Sequence, residues 1–182
     1  LVKISLACSL VASQARAQDF GAQQVLSTAF SGFGAISIYA TDLDGDGDAD
    51  ALTAAYWDNQ IAWYENLGSG NFGAKRVISS TIIQPTAVYA IDLDGDGDAD
   101  VLSTSGWKGE IVWHENLGSG VFGAEQVITT WLNLPQSVFA IDLDGDGDAD
   151  VLSASYFDNK IAWYENLGLG VFGAQQVISL SA

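Results

Sequence analysis

The chain has 182 residues, 48% of them apolar, with 20 glycines and a formal net charge of −17 at pH 7. That length suits one domain, and that composition suits a folded, turn-rich β protein rather than a disordered chain. The charge argues against nucleic acid as a partner, because a polyanion would be repelled.

In chain order, the first predicted element is a leader. Lys3 is followed by an apolar run from Ile4 to Ala12 and then by Ala15-Arg16-Ala17. A basic start, a short apolar stretch and a small-x-small site make a secretory signal peptide over residues 1–17, with the mature chain starting at Gln18. The run is too short to span a bilayer. The expectation is a secreted protein, outside the cell or at its surface, with no transmembrane segment. No methionine occurs, not even at position 1, so the numbering is read as starting inside a coding sequence. The only cysteine, Cys8, lies in the leader, so no disulfide is expected in the mature chain 18–182.

Residues 18–182 read as one repeat domain. Phe20-Gly-Ala opens a predicted strand to Ser27, and the same segment returns at Phe72, Phe122 and Phe172. The nine residues Asp42–Asp50, Asp-Leu-Asp-Gly-Asp-Gly-Asp-Ala-Asp, recur unchanged at Asp92–Asp100 and Asp142–Asp150, a period of 50 residues. Ile61–Gly68 keeps step at Ile111–Gly118 and Ile161–Gly168. Such self-similarity marks a repeat architecture.

Each unit predicts four short strands, shown here for the third. Ser137–Leu143 is an apolar, β-branched and aromatic run leading into the acidic loop. Val151–Tyr156 follows, then a turn at Asp158-Asn159, the strand Lys160–Leu167, a turn at Gly168–Gly170 and the strand Ala174–Ser179. No helical periodicity is sustained anywhere. Four strands in a unit of this length predict an all-β fold of antiparallel β-propeller blades, three in this chain.

The acidic loops hold fifteen of the 23 acidic residues; outside them 8 acidic residues face 6 basic ones. Charge gathered this way invites a cation. Asp42, Asp44 and Asp46 stand at loop positions 1, 3 and 5, with Gly47 at position 6 for a sharp turn. Asp48 at position 7 offers its backbone carbonyl, and Asp50 closes the loop at position 9. The same holds for Asp92, Asp94, Asp96, Asp98 and Asp100, and for Asp142, Asp144, Asp146, Asp148 and Asp150. Ca²⁺ takes about six to eight hard oxygen ligands in flexible geometry, and alternating carboxylates supply them; Mg²⁺ demands a tighter octahedron. Zinc would call for His or Cys, and neither stands near. A helix–loop–helix calcium hand would need Glu at position 12, where this chain has Thr53, Ser103 and Ser153. One Ca²⁺ per repeat, three in all, is therefore expected.

The Asp-x-Asp-x-Asp-Gly-x-x-Asp loops and the Phe-Gly-Ala segments resemble FG-GAP (or VCBS-type) repeats, the blades of integrin α-subunit propellers and of many secreted bacterial and algal proteins. The resemblance covers about residues 20–179. It implies that aspartates at positions 1, 3, 5 and 9 bind calcium: Asp42, Asp44, Asp46 and Asp50, and their equivalents 50 and 100 residues on. Family propellers usually close with about seven blades, a count from which this chain departs.

Alternating strand directions place the acidic loops and the Gly-rich turns on one face. The turns between second and third strands, and the connections between blades, fall on the other. There the repeats differ most: Tyr56-Trp57-Asp58-Asn59, Gly106-Trp107-Lys108-Gly109 and Tyr156-Phe157-Asp158-Asn159. The connections carry Phe30 and Phe33, Ile82 and Ile83, then Trp131 and Leu132. Trp57, Trp107, Phe157 and Trp131 are the candidate ligand-binding aromatics, of a kind that suits sugar rings or a protein surface; packing between blades is the competing reading.

A non-catalytic protein is expected. His114 is the sole histidine and fills the slot of Tyr64 and Tyr164. Glu65, Glu115 and Glu165 recur in every unit, unlike a catalytic pair gathered at one place. The expected function is a calcium-held module for extracellular recognition or adhesion, with a glycan or protein ligand. The alternative is a self-assembling subunit of a filament or matrix, because three blades leave edges and faces uncovered. A non-catalytic part of a polysaccharide-degrading enzyme is the third reading.

Overall fold

The computed structural model describes Val25 and residues 34–181. The predicted leader, the rest of the Phe20–Ser27 segment, and Phe30 and Phe33 lie outside the described residues. Among the described residues, twelve strands form three four-stranded antiparallel sheets, each hydrogen-bonded in sequence order. The first holds β1 (Ala35–Thr41), β2 (Asp50–Ala55), β3 (Gln60–Tyr64) and β4 (Arg76–Ser79). The second holds β5 (Pro85–Ile91), β6 (Asp100–Ser105), β7 (Glu110–Asn116) and β8 (Phe122–Thr129). The third holds β9 (Pro135–Ile141), β10 (Asp150–Ser155), β11 (Lys160–Tyr164) and β12 (Gln176–Ser179). Among the described residues there is no helix. The all-β organisation with four strands per repeat agrees with the sequence reading.

Strand ends fall a little earlier than the hydrophobic runs suggest. Leu143 leaves the ladder because its N–H donates to Asp150 Oδ2 (3.0 Å) in the loop. In the third blade Asn166 meets Phe172 only as an isolated bridge beyond β11, and Leu167 N–H donates to Val171 O across the Gly turn.

Blades stack face to face, so their middle strands are covered on both sides and read as nearly continuous small or apolar residues. β2 and β6 are buried at every position. Between the first two blades, Leu43, Leu52, Ala54, Ile61 and Trp63 meet Ile82, Val88, Ala90, Val101 and Val112. The second junction repeats this 50 residues on, with Leu93, Leu102, Ile111 and Trp113 against Leu132, Val138, Ala140 and Val151. Trp63 also seats on the Gly-rich turn of the next blade. A Cβ at Gly120 would overlap its indole, and Gly170 receives Trp113 likewise. Burying one such side chain is worth about 1.5–3 kcal/mol.

The inner strands β1, β5 and β9 lie side by side. They carry a ladder of Tyr39, Tyr89 and Phe139, with ring centroids 4.6 and 4.7 Å apart. Burial, with Tyr39 beside it, pushes the Tyr89 phenol up to about 12.

Candidate metal centres and the opposite face

Each acidic loop curls around its own carboxylates. Asp42 Oδ1 accepts from Gly45 N–H (2.7 Å) and Oδ2 from Gly47 N–H (2.9 Å). Asp44 Oδ1 accepts from Asp46 N–H, and Asp46 Oδ1 from Asp48 N–H. Gly47 holds φ at +93°, a left-handed bend in which a side chain would be strained. The second and third loops repeat these bonds, with Asp92 and Asp142 each bonded to two glycine amides.

Position 9 anchors the loop from below. Asp50, Asp100 and Asp150 are fully buried. One oxygen of each accepts from the amide of Leu43, Leu93 or Leu143, and the other from that of Asn66, Asn116 or Asn166. Burial pushes Asp50 above the usual carboxylate range, and backbone hydrogen bonds only partly oppose it. Asp100 is pushed up to about 7 by burial first, with further push from Asp94 and Asp96. Asp44 and Asp94 are also raised, mainly by desolvation, with neighbouring carboxylates adding to it. A cation held in the loop would oppose this upward push by supplying positive charge beside the carboxylates.

Three carboxylates converge in each loop, with ligand oxygens all within 4.8 Å of one another. They are Asp42, Asp44 and Asp50 in the first, Asp92, Asp94 and Asp96 in the second, and Asp142, Asp144 and Asp146 in the third. Each set could hold a metal ion, and an all-oxygen donor set of this kind fits a hard cation. Asp46, Asp100 and Asp150 stand beside these sets without joining them. Asp48, Asp98 and Asp148 point away, toward Gly68, Gly118 and Gly168; the Asp48 Oδ2 would lie 3.4 Å from a Cβ on Gly68. That proximity also puts the acidic loop and the Gly turn on one face.

Sequence reasoning missed the asparagine after each Trp-x-Glu. Asn116 is buried; its Nδ2 donates to Ala99 O (3.1 Å) in its own loop and to Leu43 O (2.8 Å) in the preceding one. Asn166 does the same for Ala149 and Leu93. The Oδ1 of each accepts from the Gly-turn amide. One side chain thus ties two neighbouring acidic loops and a turn. Its signal in the sequence was recurrence at Asn66, Asn116 and Asn166. Of the recurrent glutamates, Glu65 pairs with Arg76, whose guanidinium lies 4.9 Å from the centre of the Trp63 ring.

The opposite face is joined by its own bonds. Asn59 Oδ1 accepts from Gln84 N–H, Leu132 N–H donates to Gly109 O, and Tyr156 N–H donates to Leu134 O. Turns and inter-blade connections therefore lie together. Trp57, Trp107, Phe157 and Trp131 are all exposed, by 59%, 74%, 64% and 86%, instead of packing between blades. Trp57 stands edge-on to Tyr56, and Phe157 edge-on to Tyr156. His114 is buried in β7 with Nδ1 unpaired, and burial lowers its pKa.

No curated protein matches the chain. Among solved structures, it is similar to an Agrocybe aegerita lectin described as recognising non-reducing terminal N-acetylglucosamine. The identity is 24% and the TM-score 0.56, over 79% of this chain and 38% of the lectin chain, a likeness of fold. The family model for the FG-GAP-like repeat matches three times in succession, over residues 42–103, 92–153 and 142–182. With its blades, loops and matches all in one register, the chain belongs to the FG-GAP-like repeat family.

Proposed function

We propose that the chain is a secreted, non-catalytic module for extracellular recognition or adhesion, held rigid by one Ca²⁺ per loop and binding a carbohydrate or protein through its opposite face. The carrying observation is the recurrent convergence of three carboxylates in each acidic loop, with ligand oxygens within 4.8 Å of one another. Ca²⁺ would supply charge neutralisation and oxygen coordination there. The chain's own part is to turn the carboxylates inward, bond them to glycine amides and couple adjacent loops through Asn116 and Asn166. The exposed aromatics then sit on a scaffold whose other side is fixed. The lectin whose fold this chain shares makes carbohydrate the first ligand class to test.

Calorimetric titration with CaCl₂ should show three sites with dissociation constants of about 10⁻⁴ to 10⁻³ M. Absence of binding at these concentrations would refute the calcium claim. Binding to immobilised glycans and to cell-surface proteins, measured in calcium and in chelator, should be calcium-dependent for at least one class. No binding to either class would refute the recognition claim.

A second reading, a self-assembling subunit, is favoured by the two end faces. Leu143 is 45% exposed where Leu43 and Leu93 are buried, and Ile38 is 71% exposed where Val88 and Val138 are buried. Gly70 has open space where Gly120 and Gly170 seat a tryptophan. Among the described residues, one end therefore presents the surface that a blade of this sequence covers elsewhere, and the other presents inner-strand residues and a glycine seat of the covering kind. Light scattering in millimolar calcium should then give a dimer or larger particle; a monomer would exclude self-assembly.

A further inference from the structure

The two blade junctions differ at their outer rim. At the first, Thr81 Oγ1 donates to Glu125 Oε2 (2.7 Å) and shares a hydrogen bond with Ser79, so a polar bridge spans the rim. At the second, the corresponding residues are Trp131 and Gln175. Gln175 turns down instead, and its Nε2 donates to the buried Tyr164 hydroxyl. Trp131 stands out from the lip, the most exposed large apolar side chain among the described residues. Between them lies an open groove of about 350 Å³, lined by Thr129, Thr130, Trp131, Tyr164, Gly173 and Gln175 among others.

Resting on the recognition reading above, we propose that this groove is a binding site for one uncharged pyranose residue at the end of a glycan. Three observations carry it. A free indole face suits the C–H face of a sugar ring. The amide of Gln175, held in place by its bond to the Tyr164 hydroxyl, and the hydroxyls of Thr129 and Thr130 offer donors and acceptors for ring hydroxyls. No lining side chain is charged, and the protein carries a net charge of −17, so sulfated or uronic sugars would be repelled. The volume lies near the lower end of small-ligand sites, about 300–1,000 Å³, which suits one ring rather than a long chain. The first junction, with Thr81 bonded to Glu125, lacks both the platform and the amide.

The test is binding of calcium-loaded protein to an array of neutral oligosaccharides ending in glucose, galactose, mannose or N-acetylglucosamine, beside sulfated and uronic counterparts. Wild type should bind at least one neutral terminus and no anionic counterpart more tightly. W131A should weaken that binding roughly tenfold or more, Q175E should also weaken it, and L117A, at an exposed residue of the acidic-loop face, should leave it unchanged. The exposed position of Trp131 means that W131A should keep the wild-type melting temperature, which separates a lost site from a lost fold. The pair T81W/E125Q should add a second, weaker site. Neutral-sugar binding unaffected by W131A but lost in W57A or W107A would overturn the groove and leave the recognition reading intact. A preference for sulfated sugars would also overturn it. No sugar binding at all would overturn it and leave only the protein-ligand arm of the recognition reading.

Discussion

His114 occupies the blade position filled elsewhere by Tyr64 and Tyr164, and burial keeps its pKa below the ordinary value, with Glu125 pulling the other way. The unfolded chain therefore takes up this proton at a higher pH than the folded one. Stability from the neutral imidazole is complete above the unfolded value of 6.5 and is lost as pH falls below it toward the folded value. Urea melts of wild type and H114Y at pH 5.5 and 7.5, in saturating calcium, should show a smaller acid loss for H114Y; equal losses would contradict the assignment. Asn116 makes a second residue-scale test. It bonds two loops and a turn, whereas the described bonds of Asn66 stay within its own blade. N116A should cost about 1–3 kcal/mol, and more than N66A; equal costs would mean that the bond between blades contributes nothing. Asn116 escapes sequence reading because its partner Leu43 O lies 73 residues away, in a neighbouring blade.

At the scale of elements, the loops and strands were legible because each is built locally. Three copies of Asp42–Asp50 display both the alternating carboxylates and the glycine bend, and the turns around Gly68 and Asn59 punctuate the strands. Convergence was only partly legible. Five aspartates per loop look equivalent in one dimension, yet Asp48 points toward Gly68 and Asp50 faces inward to bind amides. Direction depends on the curl of the loop and on the strands that hold its ends. The seat of Trp63 was not legible at all, since Gly120 reads as a turn glycine like Gly70. The structure separates them. Both have positive φ, +68° and +73°, but only Gly120 lies under an indole. G120A should therefore destabilise by about 1–3 kcal/mol more than G70A, from overpacking against Trp63. Thermal melts of the two variants would decide it, and equal shifts would show that the contact yields without cost.

At the scale of the molecule, the stack of three blades is held by two copies of one interface, so its stability is a sum of nearest-neighbour terms. The acidic loops line the same face at every junction, and Asn116 and Asn166 link each to the next. Loop charge and blade stacking are therefore coupled: unneutralised carboxylates weaken the loops that these asparagines hold. Among the described residues no helix is long and apolar enough to cross a membrane.

That coupling makes the thermal melt in calcium against chelator the most direct measurement. Three sites with dissociation constants of 10⁻⁴ to 10⁻³ M, at about 10 mM calcium, would contribute roughly 4–8 kcal/mol. For a domain of this size that corresponds to a Tm about 10–30 °C higher in calcium than in excess chelator. Replacing Asp44, Asp94 and Asp144 together by Asn should remove most of the difference. A Tm that is the same in calcium and in chelator would contradict the account.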